Sequence, residues 1–322
     1  MTEHSDGSGQ ITRRQALGTL ALAGASLLLQ RRVLAATDAV KSLPLITRTI
    51  PSSGAALPVI GVGTNAFGVS DAAELAARRE VLRMLPELGG SVVDTAPAYG
   101  LSEAVIGDLV NQLGNRKRLF YATKVTANAG DAAGGKAMLE ESFKRLRTDH
   151  IELIQVHSLQ GVEEMVPVLQ ELKAAKRIDY LGVTTSLGVQ HAGLAATMRR
   201  HPLDFIQVNY SLDDRAAAAE ILPLAQERKI AVLANVPFGG RRGRSLLTRV
   251  ANQPLPDWAA EFDAGSWPQV FLKYVVSHPA VTCVIPGSTK VRHLEDNLRA
   301  ARGRLPDADM RRRIEQYWDR LR

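Results

Sequence analysis

From residue 45 onward the chain alternates short apolar runs with longer amphipathic stretches. Apolar runs fall at 59–63, 91–94, 119–123, 151–157, 178–183, 205–208, 230–234 and 281–285. Between them, stretches at 72–88, 102–113, 135–147, 162–175, 190–199, 216–227 and 267–277 carry apolar residues at helical spacing. Continuous apolar runs suit parallel strands buried on both faces, because the connecting helices cover them from outside. Eight such units in succession are the count of a closed (β/α)8 TIM barrel. Two shorter segments, 45–50 and 57–60, flank Pro51-Ser52-Ser53-Gly54 and predict an N-terminal β-hairpin cap. An open doubly wound sheet is the competing architecture. No run leads into a G-x-G-x-x-G turn with an acidic residue about twenty positions on, which weighs against it.

The first residues show a different pattern. A polar opening leads to Thr12-Arg13-Arg14 and then a mild Ala/Gly-rich apolar stretch, 16–29. That stretch is shorter than the roughly twenty residues a bilayer span needs. It reads as the h-region of an export signal behind a basic n-region, and the paired arginines resemble a twin-arginine signal. A cleavage triplet at Val33-Leu34-Ala35 marks the end of the leader, and 1–36 is taken as the signal segment and 37–322 as the barrel domain. An amphipathic N-terminal helix or an uncleaved anchor is the other reading. The implied partner is the twin-arginine export machinery, and the implied location is the periplasm, with the cytoplasm as the alternative if the signal is unused.

A length of 322 residues accommodates one barrel of this kind plus such a leader. The single cysteine, Cys283, lies in an apolar run and reads as core. It excludes an intramolecular disulfide or a multi-cysteine metal site, and no metal ligand set is expected. Net charge is +7, from 40 basic and 33 acidic residues, which suits an anionic cofactor without requiring nucleic acid. With no nucleic-acid motif present, none is expected as a partner.

In a barrel all strand C-termini open onto one face, where active sites are built. Reading the polar residues that end the runs gives Thr64-Asn65, Asp94, Lys124, His157, Thr184-Thr185, Gln207, Asn235 and Gly287-Ser288. Four of the residues at this face make a proton-transfer set: Asp94, Tyr99 five positions later, Lys124 and His157. A free phenol titrates near 10. A nearby ammonium favours phenolate, so Lys124 is expected to make Tyr99 more acidic, with Asp94 fixing Lys124. Tyr99 O–H and His157 N–H together can stabilise the oxyanion of a carbonyl receiving hydride.

The motifs VIGVGTNAFG, VVDTAPAYGLSEAVIG, ATKV, RLRTDHIELIQVHS, IDYLGVTT, IQVNYSLDDR and VIPGSTKVRHLEDNL resemble the aldo-keto reductases over nearly all of residues 45–300. The resemblance implies NADPH, or NADH, as cofactor and a small carbonyl or alcohol as substrate. It implies Tyr99 as general acid in reduction and general base in oxidation, with Asp94, Lys124 and His157. An oxidative sugar or alcohol dehydrogenase, and a nucleotide-binding sensor with negligible turnover, remain as alternatives. Thr184 and Thr185 stand where the family places a Ser-Asn pair on the nicotinamide carboxamide, and Gln207 where it places a Gln. Asn235 replaces a Tyr that stacks on the ring, and an amide offers less apolar area. Val236-Pro237-Phe238-Gly239-Gly240 resembles the pyrophosphate loop. Ser288, Lys290 and Arg292 are expected to receive the 2′-phosphate, and Asp296 with Asn297 the adenine. His293 stands where the family often has Arg. The loop Arg241-Arg242-Gly243-Arg244 is either a phosphate clamp or a solvated loop. A Trp common near Asn65 is absent, which implies an open pocket for compact or polar carbonyls. The helix around residues 311–313 reads as a solvated face.

Overall fold

A computed structural model describes residues 43–240 and 245–321. The export signal, its boundary at residue 36 and Arg241-Arg242-Gly243-Arg244 lie outside the described residues.

Strands β1 (Thr47–Thr49) and β2 (Ala56–Pro58) form the expected hairpin, antiparallel, with Arg48 opposite Leu57. The turn between them uses Gly54 at φ +78°, a left-handed conformation that glycine adopts without steric cost. Ile50 and Leu57 are buried in one cluster with Val92, Leu153, Phe205 and Leu233 from the sheet strands. Ser53 Oγ lies 2.7 Å from the Tyr180 hydroxyl. The hairpin therefore plugs one end of the sheet's interior.

The sheet holds β3 (Val62–Gly63), β4 (Val92–Asp94), β5 (Phe120–Val125), β6 (Ile151–Val156), β7 (Ile178–Thr184), β8 (Phe205–Asn209), β9 (Ala231–Asn235) and β10 (Cys283–Val284). Each strand pairs in parallel with the next in chain order. The first and last meet through single bridges, Ile60 with Val284 and Gly63 with Gly287, which close the barrel. Gly63 is required at that seam, because a Cβ there would sit 2.9 Å from the Ile285 carbonyl oxygen.

Around the sheet lie α1 (Ala72–Glu87), α2 (Ser102–Leu113), α3 (Ala132–Arg145), α4 (Val162–Ala174), α5 (His191–Arg200), α6 (Ile221–Glu227), α7 (Leu246–Arg249), α8 (Trp267–Val276), α9 (Val291–Arg299) and α10 (Ala308–Arg320). Their ends obey capping chemistry. Asp71 and Ser266 accept from backbone N–H groups three residues on, and Gly114 ends α2 in the left-handed region. The stretch expected as one helix over 216–227 divides into a 3-10 turn, Ala216–Ala218, and α6. Pro223, which has no N–H to give, falls in the first turn of α6, where no intrahelical donor is needed.

Cys283 is fully buried, as its apolar run implied. Arg311, by contrast, is not on a solvated face. It lies one turn before Ile314 on the stripe that α10 packs inward, donates to Tyr274 O, Ser277 Oγ and Tyr210 Oη, and stacks 4.3 Å from the Tyr274 ring. Its neighbours Arg312 and Arg313 are exposed and pair with Asp309 and Glu261.

Candidate active site

Asp94 is the last residue of β4, Lys124 the penultimate residue of β5, and His157 comes directly after β6. Tyr99 ends a 3-10 turn, Pro97–Tyr99, just beyond β4. Parallel pairing brings these strand ends to one face. Lys124 Nζ donates to both carboxylate oxygens of Asp94 at 2.9 Å and to the Thr95 carbonyl at 2.8 Å. The same nitrogen is 4.9 Å from the centre of the Tyr99 ring. Tyr99 and His157 meet edge to face, centroids 6.3 Å apart. All four residues of the set are thus adjacent.

Their ionisation is governed by burial and by that one ion pair. Burial alone lowers the pKa of Lys124, but Asp94, the Tyr99 phenol and hydrogen bonds to both outweigh it and leave the ammonium raised. Burial leaves the Asp94 carboxyl above its ordinary value although Lys124 draws it part of the way back, and the two-pronged contact favours the ionised pair. The phenol departs from expectation. Burial holds Tyr99 above its ordinary value; Lys124 lowers it, and Asp94 raises it again. The ammonium favours the phenolate, but burial outweighs it and the Asp94 carboxylate offsets part of its field. His157 is pushed down to about 4, first by burial and then by the Lys124 charge. Near neutrality the site therefore presents a protonated phenol beside a neutral imidazole.

Thr64, expected at the cofactor, joins residues that sequence reasoning missed in holding this set. Thr64 Oγ1 donates to the Asp94 carbonyl at 2.8 Å, and Ser102 Oγ donates to the Thr64 carbonyl at 2.9 Å. Thr95 Oγ1 lies 3.1 Å from Ser102 Oγ. These buried hydroxyls tie the ends of β3 and β4 to the start of α2. Glu103 is fully buried and accepts from Thr123, Ser142 and Arg145, anchoring the outer side of β5 beside Lys124. Inside the barrel, Gln155 Nε2 donates to Gln207 Oε1 at 3.1 Å, and Gln207 in turn hydrogen-bonds the Asp94 carboxylate. A period of two along β6 places Gln155 on the same face as His157, a signal available in the sequence.

A cavity of about 460 Å³ opens over the set. Of the residues expected at a cofactor, Thr64, Asn65, Gln207 and Asn235 line it, as do Val236, Pro237, Phe238, Gly239 and Gly287. A second cavity of about 500 Å³ shares Phe238 and Gly287 with the first and reaches Arg292, Asp296 and Asn297 on α9. The two form one trough whose shared edge includes a glycine. Val236 sits at φ +53° beside Gly239 and Gly240, also at positive φ. A β-branched residue there is strained, and such strain gathers at functional sites.

Other expected residues are brought close without reaching the trough wall. Thr184 Oγ1 accepts from Ser158 N at 3.1 Å. Thr185 Oγ1 donates to Gln190 Oε1, whose Nε2 donates to the Ser158 carbonyl. These hydroxyls join the loop after His157 to the loop after β7. Ser158 and Ser186 line the cavity instead. Ser288 is buried and accepts from Asn297 Nδ2 at 2.8 Å. Lys290 is exposed at the start of α9, outside both cavities. Asp296 borders the second cavity while accepting from Ser266 and Gln269. Among the described residues no group of His, Cys, Asp and Glu is placed to hold a metal ion, and no helix is long and apolar enough to cross a membrane.

A parallel closed barrel with this Asp-Tyr-Lys-His arrangement at its C-terminal face defines a class: residues 59–318 match the family model for the aldo/keto reductase family, and the chain belongs to that family. It is 30% identical over 269 residues to methylglyoxal reductase YeaE of Escherichia coli, covering 80% of this chain and 90% of that one. It is 32% identical over 215 residues to aldo-keto reductase YhdN of Bacillus subtilis, spanning 62% of this chain and 63% of that relative's length. Among solved structures, an aldo-keto reductase from Klebsiella pneumoniae in complex with NADPH superposes with a TM-score of 0.68 at 25% identity, covering 85% of this chain and 96% of that one.

Proposed function

We propose that this protein is an NADPH-dependent carbonyl reductase that converts an aldehyde or ketone to an alcohol. The observation that carries this reading is the meeting of Tyr99 and His157 at the cavity beside the doubly hydrogen-bonded Lys124–Asp94 pair, where burial favours a protonated phenol and a neutral imidazole. A carbonyl oxygen entering the cavity accepts from Tyr99 O–H and His157 N–H. NADPH, when bound, supplies the hydride. As charge develops on that oxygen, Tyr99 transfers its proton, and Lys124 stabilises the phenolate left behind. Preorganised donors of this kind typically contribute about a hundredfold or more each. In the oxidative direction Tyr99 is the base, and its raised pKa disfavours that role near neutrality.

The residues present fit a nicotinamide dinucleotide. Gln207 and Asn235 adjoin the reacting set, the strained Val236–Gly239 turn borders both cavities, and Arg292 stands by the second with Asp296 and Asn297. Arg292 is the residue we assign to the 2′-phosphate, and its charge favours NADPH over NADH. Titration of the purified protein with NADPH by fluorescence tests the binding. A carbonyl panel comes next, headed by methylglyoxal because the relative YeaE bears that name. Absence of NADPH binding rejects the proposal.

We also assign export through the twin-arginine route, on the strength of Thr12-Arg13-Arg14 and the apolar stretch behind them. Localising a tagged chain with Arg13→Lys and Arg14→Lys tests this; unchanged export rejects it.

A further inference from the structure

Two side-chain amides border the cavity, and each has one end fixed by the protein. Gln207 Oε1 is engaged by Gln155 Nε2, so Gln207 is left with its N–H groups for Asp94 and the cavity. Asn235 is fixed the other way round. Its Nδ2 donates to the Thr185 carbonyl at 3.0 Å, which settles which end is nitrogen, and its Oδ1 is buried with no hydrogen-bond partner. Asn235 lines the cavity and is only 9% exposed, its Oδ1 lying just beneath that wall. A buried acceptor without a donor is costly, and the cost is relieved when a donor arrives. Thr185 is not available for that ligand: its hydroxyl donates to Gln190 and accepts from Leu187 N.

One fixed amide N–H and one fixed amide oxygen at the same wall are the complement of a primary carboxamide. We infer that Asn235, not Thr185, holds the N–H of the nicotinamide carboxamide through Oδ1, while Gln207 donates to the carboxamide oxygen. This rests on the dinucleotide reading above. An asparagine's terminal torsion is broad, so a modest turn that tilts but keeps the Nδ2 bond to the Thr185 carbonyl moves Oδ1 toward the incoming donor. Gln155 is then a positioning residue, because it decides which end of Gln207 faces the ligand. The amide that the family carries at the position of Thr185 is in this chain supplied from the next-but-one strand, β9.

The test uses binding rather than turnover. The full chain is titrated by calorimetry with NADP⁺, with its 3-acetylpyridine analogue, in which a methyl group replaces the amide nitrogen, and with 2′-phospho-ADP-ribose, which lacks the ring. The wild type is expected to prefer NADP⁺ over the analogue by about tenfold, the factor one buried neutral hydrogen bond is worth. Asn235→Leu brings the two affinities within about twofold and leaves 2′-phospho-ADP-ribose binding unchanged. Asn235→Ala, which makes no demand on space, gives the same result. Thr185→Val keeps the preference. A preference that survives both Asn235 variants, or disappears in Thr185→Val, overturns the assignment. Equal wild-type affinity for NADP⁺ and the analogue overturns it alone. Failure to bind either NADP⁺ or 2′-phospho-ADP-ribose removes the dinucleotide reading and this inference together.

Discussion

Lys124 holds Asp94 by both carboxylate oxygens, with side chains 1% and 3% exposed, and gives its remaining hydrogen bond to the Thr95 carbonyl. Lys124→Met leaves the Asp94 charge buried and unpaired. Loss of one partner of a buried pair costs about 3–5 kcal/mol, so the urea midpoint falls sharply at pH 7. It recovers in part at acid pH, where Asp94 takes up a proton. A midpoint within error of the wild type would contradict the buried ion pair.

Tyr99→Phe keeps the ring against His157 and removes the proton. Carbonyl reduction is expected to fall about a hundredfold or more, read as NADPH consumption at saturating carbonyl. The dissociation constant for NADPH changes by no more than about twofold, because the phenol hydroxyl is assigned to substrate.

The pH dependence is set by the signs of two shifts. Tyr99 is raised, so the active acid for reduction persists through neutrality. Reductive kcat/KM declines only in the alkaline range, above the ordinary tyrosine value of about 10. Oxidation needs phenolate and climbs over the same range. His157 is pushed down to about 4, so protonation of its ring interrupts the reaction only in strong acid. A break in the reductive profile near pH 6.5, the ordinary histidine value of about 6.5, would contradict the burial argument.

Thr184 supplies the acceptor for Ser158 N, where the chain turns away from His157 through two left-handed residues, Ser158 at φ +54° and Leu159 at φ +60°. Thr184→Val removes that acceptor and leaves the strain. The expected result is a kcat lower by about tenfold, equivalent to one lost hydrogen bond, with NADPH affinity nearly unchanged. A large loss of NADPH affinity with kcat intact would return Thr184 to the cofactor.

Much of the fold is legible in the chain alone. Eight apolar runs map onto eight strands because parallel strands must be buried on both faces, and little else produces that pattern. Asp94, Lys124 and His157 emerge from the polar residues that close successive runs, since a barrel turns sequence separation into adjacency. Three things are not legible there. The acidity of Tyr99 depends first on how deeply the phenol is buried and then on the opposed fields of Lys124 and Asp94, none of which the chain displays before it folds. The Thr184 and Thr185 hydroxyls can be placed on a strand end but not assigned a direction, and they turn to neighbouring loops. Arg311 reads as solvated in a run of arginines, yet helical phase puts it on the inward stripe with Ile314 and Trp318. Gln155 is within reach of sequence reasoning, because alternate residues of β6 share a face and His157 marks which one.

Gly63 and Gly287 meet where the first strand comes round to the last, and both also border the cavity over Tyr99. The stitch that turns a ribbon of strands into a tube is therefore part of the ligand's wall. Any residue with a Cβ at Gly63 prises that seam against the Ile285 carbonyl. Tightness of the tube and shape of the trough are set by the same few backbone atoms and cannot drift independently.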